Sequence, residues 1–152
     1  MKVKVVNKSK HSLPHYSTIA SAGMDLRANI DESISLKPLE RTIVKTGIFM
    51  ELPLGFEAQV RPRSGLAFKK GITVLNSPGT VDADYRGEWM AIFTQIPVPL
   101  GSHNGFTSFP YNVGDRVGQI FFEPVIPISF EVVPELDQSE RGEGGFGSTG
   151  LK

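Results

Sequence analysis

The sequence of 152 residues contains no cysteine. Disulfides, thiolate metal sites and a cysteine nucleophile are therefore excluded. It also lacks a run of about 18 apolar residues, which a membrane-spanning helix requires. The first residues, MKVKVVNKS, lack the apolar stretch of a signal peptide and alternate as a strand does. We therefore expect a cytoplasmic protein that does not bind membranes.

An excess of charge of one sign is also missing. Lys and Arg together number 16, and Asp and Glu together number 16, so the formal net charge is zero. Proteins that bind nucleic acids or anionic membranes non-specifically usually carry a basic excess. The balance argues against both functions, although it is compatible with a small anion held by a few arginines.

Helical periodicity is almost absent, and only Ser64–Gly71 (SGLAFKKG) resembles a helix, of at most two turns. Segments rich in β-branched and aromatic residues, separated by Gly and Pro turns, predict strands instead. These segments are residues 3–6, Glu40–Leu52, Phe56–Val60, Gly71–Asn76, Glu88–Ile96, Arg116–Val125 and Ile128–Val133. The pattern predicts an all-β fold, a sandwich or barrel of the jelly-roll kind.

The composition changes near the C-terminus, where apolar residues become rare and Gly becomes frequent. We place the end of the packed β domain at residue 134, which leaves residues 135–152 as a flexible Gly-rich arm. Extended, this arm would reach about 60 Å, far enough to touch a neighbouring subunit. Its segment RGEGGFGSTG gains little from folding alone, because Gly loses much backbone entropy. It is either a disordered tail or an arm that orders over a ligand.

Two patterns that suggest known binding sites do not hold in their sequence context. Residues 142–147 have the GxGxxG spacing, but too few residues follow for the helix of a dinucleotide site. His11 and His15 have the spacing of a zinc pair on a helix. Pro14 lies between them and no third ligand is near, so a surface loop is favoured.

Two segments carry side chains suited to a charged ligand. In AGMDLRA, Asp25 follows the small residues Ala22 and Gly23 at the start of a strand, where its carboxylate belongs to a ligand site, a structural salt bridge or a turn. In RPRSGLA, Arg63 offers a forked cation, Ser64 a hydroxyl, and Gly65 close access to the backbone. These are phosphate-binding groups, although a plain loop with a capping serine explains them equally well.

Two further segments carry polar groups beside turns. LNSPGTVDADYRGEW (Leu75–Trp89) predicts a hairpin in which one of two carboxylates could act as a general base. Tyr85 in the same segment could stack on a sugar or base. GDRVGQ (Gly114–Gln119) supplies an Asp-Arg pair and an amide, or is simply a strand start with an ion pair.

Taken in order, the segments AGMDLRA, PRSGLA, GTVDADYRG, GDRVGQ and RGEGGFGSTG resemble the five motifs of the trimeric all-β dUTP pyrophosphatases (dUTPases). The resemblance spans residues 22–150. It implies a jelly-roll-like homotrimer with shared active sites, each covered by a C-terminal arm. It also implies Mg²⁺-assisted hydrolysis of dUTP to dUMP and pyrophosphate, which limits uracil in DNA and supplies dUMP for dTMP synthesis.

The resemblance also implies a role for individual residues. Asp82 would activate the water that attacks the α-phosphorus, Tyr85 would pack on the deoxyribose, and Asp25 would hold Mg²⁺ through a water. The residues implied to contact the uracil or nucleoside are Asn76, Gly79, Thr80, Val81, Met90 and Phe146. Those implied to hold the phosphates are Arg63, Ser64, Gly65, Gln119, Arg141, Gly147, Ser148 and Thr149.

The chain departs from the family's pattern in two places. Gly118 stands where alanine is more frequent, and the stretch through residues 97–112 is longer than expected. The longer stretch is either a surface hairpin extension or a changed trimer contact or docking loop. A dCTP deaminase of similar fold and a nucleotide sensor without turnover are alternative functions. Asp82 and Tyr85 in the hairpin favour the hydrolase.

Overall fold

A computed structural model describes residues 1–97 and 109–145, without the side chain of Phe109. Within them lie eleven strands and one helix, α1 (Ser64–Lys70). The strands are β1 (Lys4–Asn7), β2 (Met24–Arg27), β3 (Ile34–Leu36), β4 (Arg41–Lys45), β5 (Ile48–Glu51), β6 (Phe56–Pro62), β7 (Ile72–Val74), β8 (Gly79–Val81), β9 (Met90–Gln95), β10 (Phe109–Tyr111) and β11 (Arg116–Pro124). None of the described helices is long and apolar enough to cross a membrane.

The strands pair antiparallel throughout the described chain. One sheet has the order β2-β11-β6-β8 and another the order β4-β9-β7, while β1 pairs with β5 and β3 with β10. All four sheets contribute to one apolar core, whose largest buried side chains include Trp89, Tyr111 and Phe93. The predicted all-β, jelly-roll-like architecture is confirmed as a sandwich without a closed barrel.

Strand β6 shows how alternation in the sequence sets the faces of a sheet. Ala58 and Val60 are buried, while Glu57, Gln59 and Arg61 are only half-buried. Successive side chains of a strand point to opposite faces, so the FEAQVRP pattern directs its small apolar residues inward. The strand pairs with β11 on one side and with β8 on the other, which fixes its register twice.

A tight turn divides the long predicted strand segment into β4 and β5. Gly47 has φ of +69°, and a Cβ at this position would lie 2.8 Å from Ser9 Cβ, so glycine is required for two reasons. Thr46 is buried and its hydroxyl donates to the carbonyl of Trp89, while the N–H of Trp89 donates to Ile48 O at 2.8 Å. The turn therefore holds the chain just before β9.

The predicted short helix is present and ends as its sequence suggests. Gly71 adopts the left-handed conformation, with φ of 65°, and its N–H donates to Ala67 O at 3.0 Å. The capping-serine alternative is wrong. Arg63 occupies the N-cap position without a side-chain cap, and Ser64 is the first helical residue.

The strand predicted at Ile128–Val133 is wrong, since the described chain has no strand after β11. The segment keeps the alternation of a strand, but it has no pairing partner within the described residues. Its apolar side chains are exposed, with Ile128 at 74%, Phe130 at 89% and Val132 at 97%. A favourable sequence pattern alone cannot form a strand, because strand hydrogen bonds need a second strand.

Ionisation of the Tyr111 phenol makes the stability of the fold depend on pH in the alkaline range. The residue is buried, and burial, together with the nearby Asp115 carboxylate, raises the pKa of its phenol. A phenol whose pKa is higher in the folded state than in the unfolded state stabilises the fold at pH values below the unfolded pKa of about 10. This stabilisation is lost as the pH rises above that unfolded pKa.

We expect the free energy of unfolding to fall from about pH 9.5 upward, by up to ~1.4 kcal/mol per pH unit from this group once the pH exceeds the unfolded pKa of about 10. In Tyr111→Phe this fall is smaller, because the variant has no phenol to ionise. Urea unfolding followed by the fluorescence of Trp89, the single tryptophan, measures both proteins. An identical fall in the two proteins would contradict the assignment to Tyr111.

Candidate active site

A cavity of about 240 Å³ lies beside the hairpin around β8. We call it the hairpin cavity. Seven of the predicted site residues line it, namely Asn76, Gly79, Thr80, Val81, Asp82, Tyr85 and Met90. Its other lining residues are Ile43, Val60, Val74, Glu88, Trp89 and Ile92. The cavity therefore combines an apolar floor with a polar rim, as ligand pockets generally do.

The hairpin holds its polar groups close to the sheet. The Asn76 amide packs over Gly79, where a Cβ would lie 3.3 Å from Asn76 Nδ2. Gly79 in turn pairs with Val60 of β6 in register. The Ser77–Pro78 peptide bond within the turn is cis. The amide of Asn76 and the backbone of β8 thus face one small cavity.

The structure distinguishes the two aspartates of the hairpin. Asp82 lines the cavity and Asp84 does not, although both are exposed. Within residues 1–97 and 109–145, the Asp82 carboxylate has no hydrogen bond or ion pair to another side chain. Asp82 is therefore the carboxylate available to a ligand or to a water beside it.

Tyr85 is held in a folded-back position at the rim of the cavity. Its hydroxyl donates to Glu88 O at 3.2 Å, and 41% of the residue is exposed. The phenol ring lies over Gly87, where a Cβ would collide with it. Arg86 closes the same turn by donating to Ala83 O at 2.7 Å. One exposed face of the tyrosine is therefore presented next to the cavity.

Sequence reasoning missed several lining residues of the hairpin cavity, most of them apolar. Ile43 belongs to β4 and reaches the cavity because it pairs with Ile92 of β9, which no local pattern could indicate. Glu88 and Trp89 are the last two residues of the predicted hairpin segment, so their position was the available signal. Glu88 is also structural, because its Oε1 accepts from the N–H of Gly47 at 2.7 Å.

Three predicted site residues, Asp25, Arg63 and Gln119, meet Arg116 beside the four-stranded sheet, and we call these four residues the Asp25 cluster. Arg63 Nε lies 3.1 Å from Asp25 Oδ1, and Arg116 Nη1 lies 3.3 Å from Oδ2. Gln119 is the register partner of Asp25 across β2 and β11. Arg63 also donates to Arg116 O at 3.2 Å, so the two arginines are linked.

Asp115 and Arg116 do not form the ion pair considered for GDRVGQ. The Asp115 carboxylate instead accepts from the N–H of Asn112 at 2.8 Å, which stabilises the turn before β11. Arg116 is therefore available to Asp25, on a strand far away in sequence. This contact between β11 and β2 carried no local signal in the sequence.

The Asp25 carboxylate retains one unused acceptor. Its Oδ1 is buried and accepts no hydrogen bond within the described chain, because the contact with Arg63 lacks hydrogen-bond geometry. A buried carboxylate oxygen needs a donor, and a metal-bound water is a suitable one. No group of three or more His, Asp or Glu residues that could hold a metal occurs among the described residues.

The hairpin cavity and the Asp25 cluster are separate within one chain, since no residue of the cluster lines the cavity. Arg141 lies in the exposed segment after β11 and donates to Gly144 O at 2.7 Å. Phe146, Gly147, Ser148 and Thr149 lie outside the described residues. The predicted site residues are thus brought together in two groups rather than in one.

The histidine pair behaves as the surface-loop interpretation predicts. Residues 11–15 form no helix, and His11 Nε2 lies 3.1 Å from Ala28 O. His15 Nδ1 lies 3.3 Å from Leu13 O.

Together, the antiparallel sandwich and its hairpin cavity define an all-β, jelly-roll-like protein with a polar-rimmed pocket. The family model described as dUTPase matches residues 9–150. The chain therefore belongs to the dUTPase family.

Individual relatives agree with this assignment. The chain is 50% identical over 150 residues to deoxyuridine 5'-triphosphate nucleotidohydrolase of Finegoldia magna, covering 99% of both chains. It is 53% identical over 148 residues to the protein of the same name from Cytophaga hutchinsonii, covering 97% of this chain and 91% of that one.

Solved structures are similar in fold at lower identity. The Staphylococcus bacteriophage 80alpha dUTPase with dUPNHPP has a TM-score of 0.83 and 24% identity, covering 99% of both chains. A mutant dUTPase from phage phi11 of S. aureus, described with a structural Mg(II) ion, has a TM-score of 0.76 and 19% identity. That comparison covers 91% of this chain and 100% of the phage chain.

The Asp25 cluster predicts a measurable effect on stability. In Asp25→Asn the guanidinium groups of Arg63 and Arg116 lose their shared counter-charge, and Arg63 is only 28% exposed. We expect the free energy of unfolding in urea to fall by on the order of 1 kcal/mol.

The matched control is Glu123→Gln, which removes the partner of Arg61 from a more exposed ion pair. Exposed pairs contribute little, so we expect a change of less than about 0.5 kcal/mol. An equal loss in both variants would show that the Asp25 contacts are no stronger than an ordinary surface pair.

Proposed function

We propose that this chain hydrolyses dUTP to dUMP and pyrophosphate in the hairpin cavity. The observation that carries the proposal is the position of Asp82. It is the hairpin carboxylate that lines the cavity, and it has no side-chain partner in the described chain that would occupy it. The dUTPase family and the names of the relatives support the same reaction.

In this proposal Asp82 acts as the general base. Its carboxylate accepts a proton from a water and orients that water for in-line attack on the α-phosphorus. The exposure of Asp82 at the rim supports this role, because water can reach the carboxylate directly. Charge that develops on the phosphate oxygens is then stabilised by arginine.

The hairpin selects the nucleoside. Asn76 and the backbone of β8 read the uracil edge, where a snug fit excludes the methyl group of thymine. Cytosine is rejected because its donors and acceptors do not match. Tyr85, fixed over Gly87 and by its bond to Glu88 O, packs against the deoxyribose and leaves no room for a 2′-hydroxyl.

The phosphates are bound by Arg63, Ser64, Gly65 and Gln119. Gly65 supports this, because a Cβ there would meet no atom within 4 Å of the described chain. Its helical position would favour alanine over glycine by roughly 0.5–1 kcal/mol. Packing within the chain does not explain the glycine, whereas close approach of a phosphate to the backbone does.

Mg²⁺ assists the reaction in this proposal, with Asp25 holding it through a water. The unused buried Oδ1 of Asp25 fits this role, and the lack of a described multi-carboxylate cluster fits a metal that keeps most of its waters. When bound, the ion would neutralise phosphate charge. Arg63 and Arg116 hold the Asp25 side chain in place.

We propose that other copies of the chain complete the site, in a homotrimer with shared active sites. Two observations support it. The Asp25 cluster does not line the hairpin cavity of its own chain. The exposed alternating side chains of Ile128, Phe130 and Val132 suit a neighbouring subunit. Arg141, Phe146, Gly147, Ser148 and Thr149 would then close over a site as an arm that orders on substrate binding.

The first experiment measures pyrophosphate release from dUTP with Mg²⁺, with dTTP, dCTP and UTP in parallel. We expect release from dUTP only, because the hairpin selects both base and sugar. Asp82→Asn should lower kcat at least ~100-fold, since the variant has no general base. The matched control Asp84→Asn, which changes a neighbouring exposed carboxylate outside the cavity, should stay within about threefold of wild type.

Equal losses in the two aspartate variants would remove the general-base role from Asp82. Tight dUTP binding without turnover would instead favour the nucleotide sensor. Ammonia release from dCTP would favour the dCTP deaminase.

A complementation experiment tests whether the sites are shared. Asp82→Asn and Arg63→Gln are each expected to be nearly inactive alone. If every site takes Asp82 from one subunit and Arg63 from another, random mixed trimers restore about a quarter of the sites. The two variants are unfolded together, refolded and assayed, with each refolded separately as the control. Activity no higher than in the separate samples would place both residues of a site on one chain.

A further inference from the structure

A second cavity, of about 60 Å³, lies where the loop of residues 12–17 meets β2 and β11. We call it the loop cavity. Six polar residues line it, namely Ser12, His15, Ser17, Asp25, Arg27 and Arg116. Ser12, His15, Ser17 and Arg27 have no part in the proposed hydrolysis, so the loop cavity needs its own explanation.

The charge of the loop cavity favours an anion. Arg27 and Arg116 are permanently cationic, and Asp25 is the single acidic residue that lines the cavity. The Asp25 carboxylate already has Arg63 and Arg116 within ion-pair distance, so its charge is compensated. The lining therefore carries an excess of one positive charge, and Arg63 adds a third cation from outside it.

The donors of the loop cavity surround it from different elements. Arg27 donates one N–H to Gly114 O at 2.9 Å, which fixes the guanidinium at the end of β2. A guanidinium has five N–H groups, so others remain to donate elsewhere. His15 Nδ1 lies 3.3 Å from Leu13 O, so this contact uses one ring N–H, and the second ring nitrogen donates to an anion in the protonated form of the ring. Ser12 and Ser17 add hydroxyl groups from the loop itself.

We propose that the loop cavity binds one tetrahedral oxyanion of the phosphate class. Several donors that converge from a loop and two strands match an anion with oxygens on all sides, and guanidinium groups suit phosphate oxygens. The cavity is large enough for several waters and hence for one phosphate group. The proposal goes beyond dUTP hydrolysis, because Ser12, His15, Ser17 and Arg27 have no part in it, although the loop cavity shares Asp25 and Arg116 with the Asp25 cluster.

The test uses the full chain without nucleotide or Mg²⁺, with a chelator present and the ionic strength kept constant. Inorganic phosphate is titrated by calorimetry, and backbone amide NMR shifts locate the bound anion. We expect saturable binding that moves the amide signals of residues 12–17 and of Arg27. Arg27→Gln should weaken binding at least ~10-fold, because a charged hydrogen-bond partner is lost.

The control Arg41→Gln removes one exposed positive charge from β4, away from the loop cavity, and should leave binding unchanged within about twofold. His15→Ala provides an independent variant in the exposed loop, and it should weaken binding at least ~3-fold. It keeps the proposal testable even if Arg27→Gln disturbs the contact with Gly114.

Pyrophosphate is titrated in parallel. If pyrophosphate binds more tightly than inorganic phosphate, and Arg27→Gln weakens this binding, the ligand of the loop cavity would be a polyphosphate such as the released pyrophosphate. Equal binding would assign it to free phosphate, and both results support the shared chemistry. Absence of saturable binding, or binding that neither Arg27→Gln nor His15→Ala weakens, would overturn the proposal.

Discussion

The register of β6 is the constraint on which both parts of the candidate site depend. Its hydrogen bonds to β8 set Val60 opposite Gly79 at the hairpin cavity. Its hydrogen bonds to β11 set Arg61 opposite Gln119, next to the Asp25 cluster. A shift of one residue would turn every side chain of β6 to the other face. Buried Ala58 and Val60 prevent that shift, so core packing determines the position of the polar residues.

Much of the fold and the hairpin cavity could be predicted because the signals were local. Alternating residues mark the strands, and the residues of the cavity rim lie within one short stretch around β8. The contacts of Ile43 and Arg116 could not be predicted, since each reaches the site through pairing with a distant strand. The strand predicted at Ile128–Val133 failed for the related reason that a pattern does not provide a partner.

Electrostatics differ between the two groups of site residues. Asp82 stands at an exposed rim without a cation among its described side-chain contacts, whereas Asp25 is flanked by Arg63 and Arg116. The general-base role proposed for Asp82 benefits from an unpaired carboxylate, and the metal-holding role proposed for Asp25 benefits from cations that keep the carboxylate ionised. The two aspartates have the same side chain, but their different environments suit different roles.

The exposed apolar row that follows β11 has a consequence for the chain at low concentration. Four apolar residues of this row are each at least 74% exposed, namely Ile126, Ile128, Phe130 and Val132. A monomer therefore exposes an apolar surface that favours association. Burying these side chains against another copy would couple folding to association through mass action. The melting temperature would then rise with protein concentration, and dilution would act on this chain as a mild denaturant. Newly made chains would be most prone to aggregation before they meet a partner.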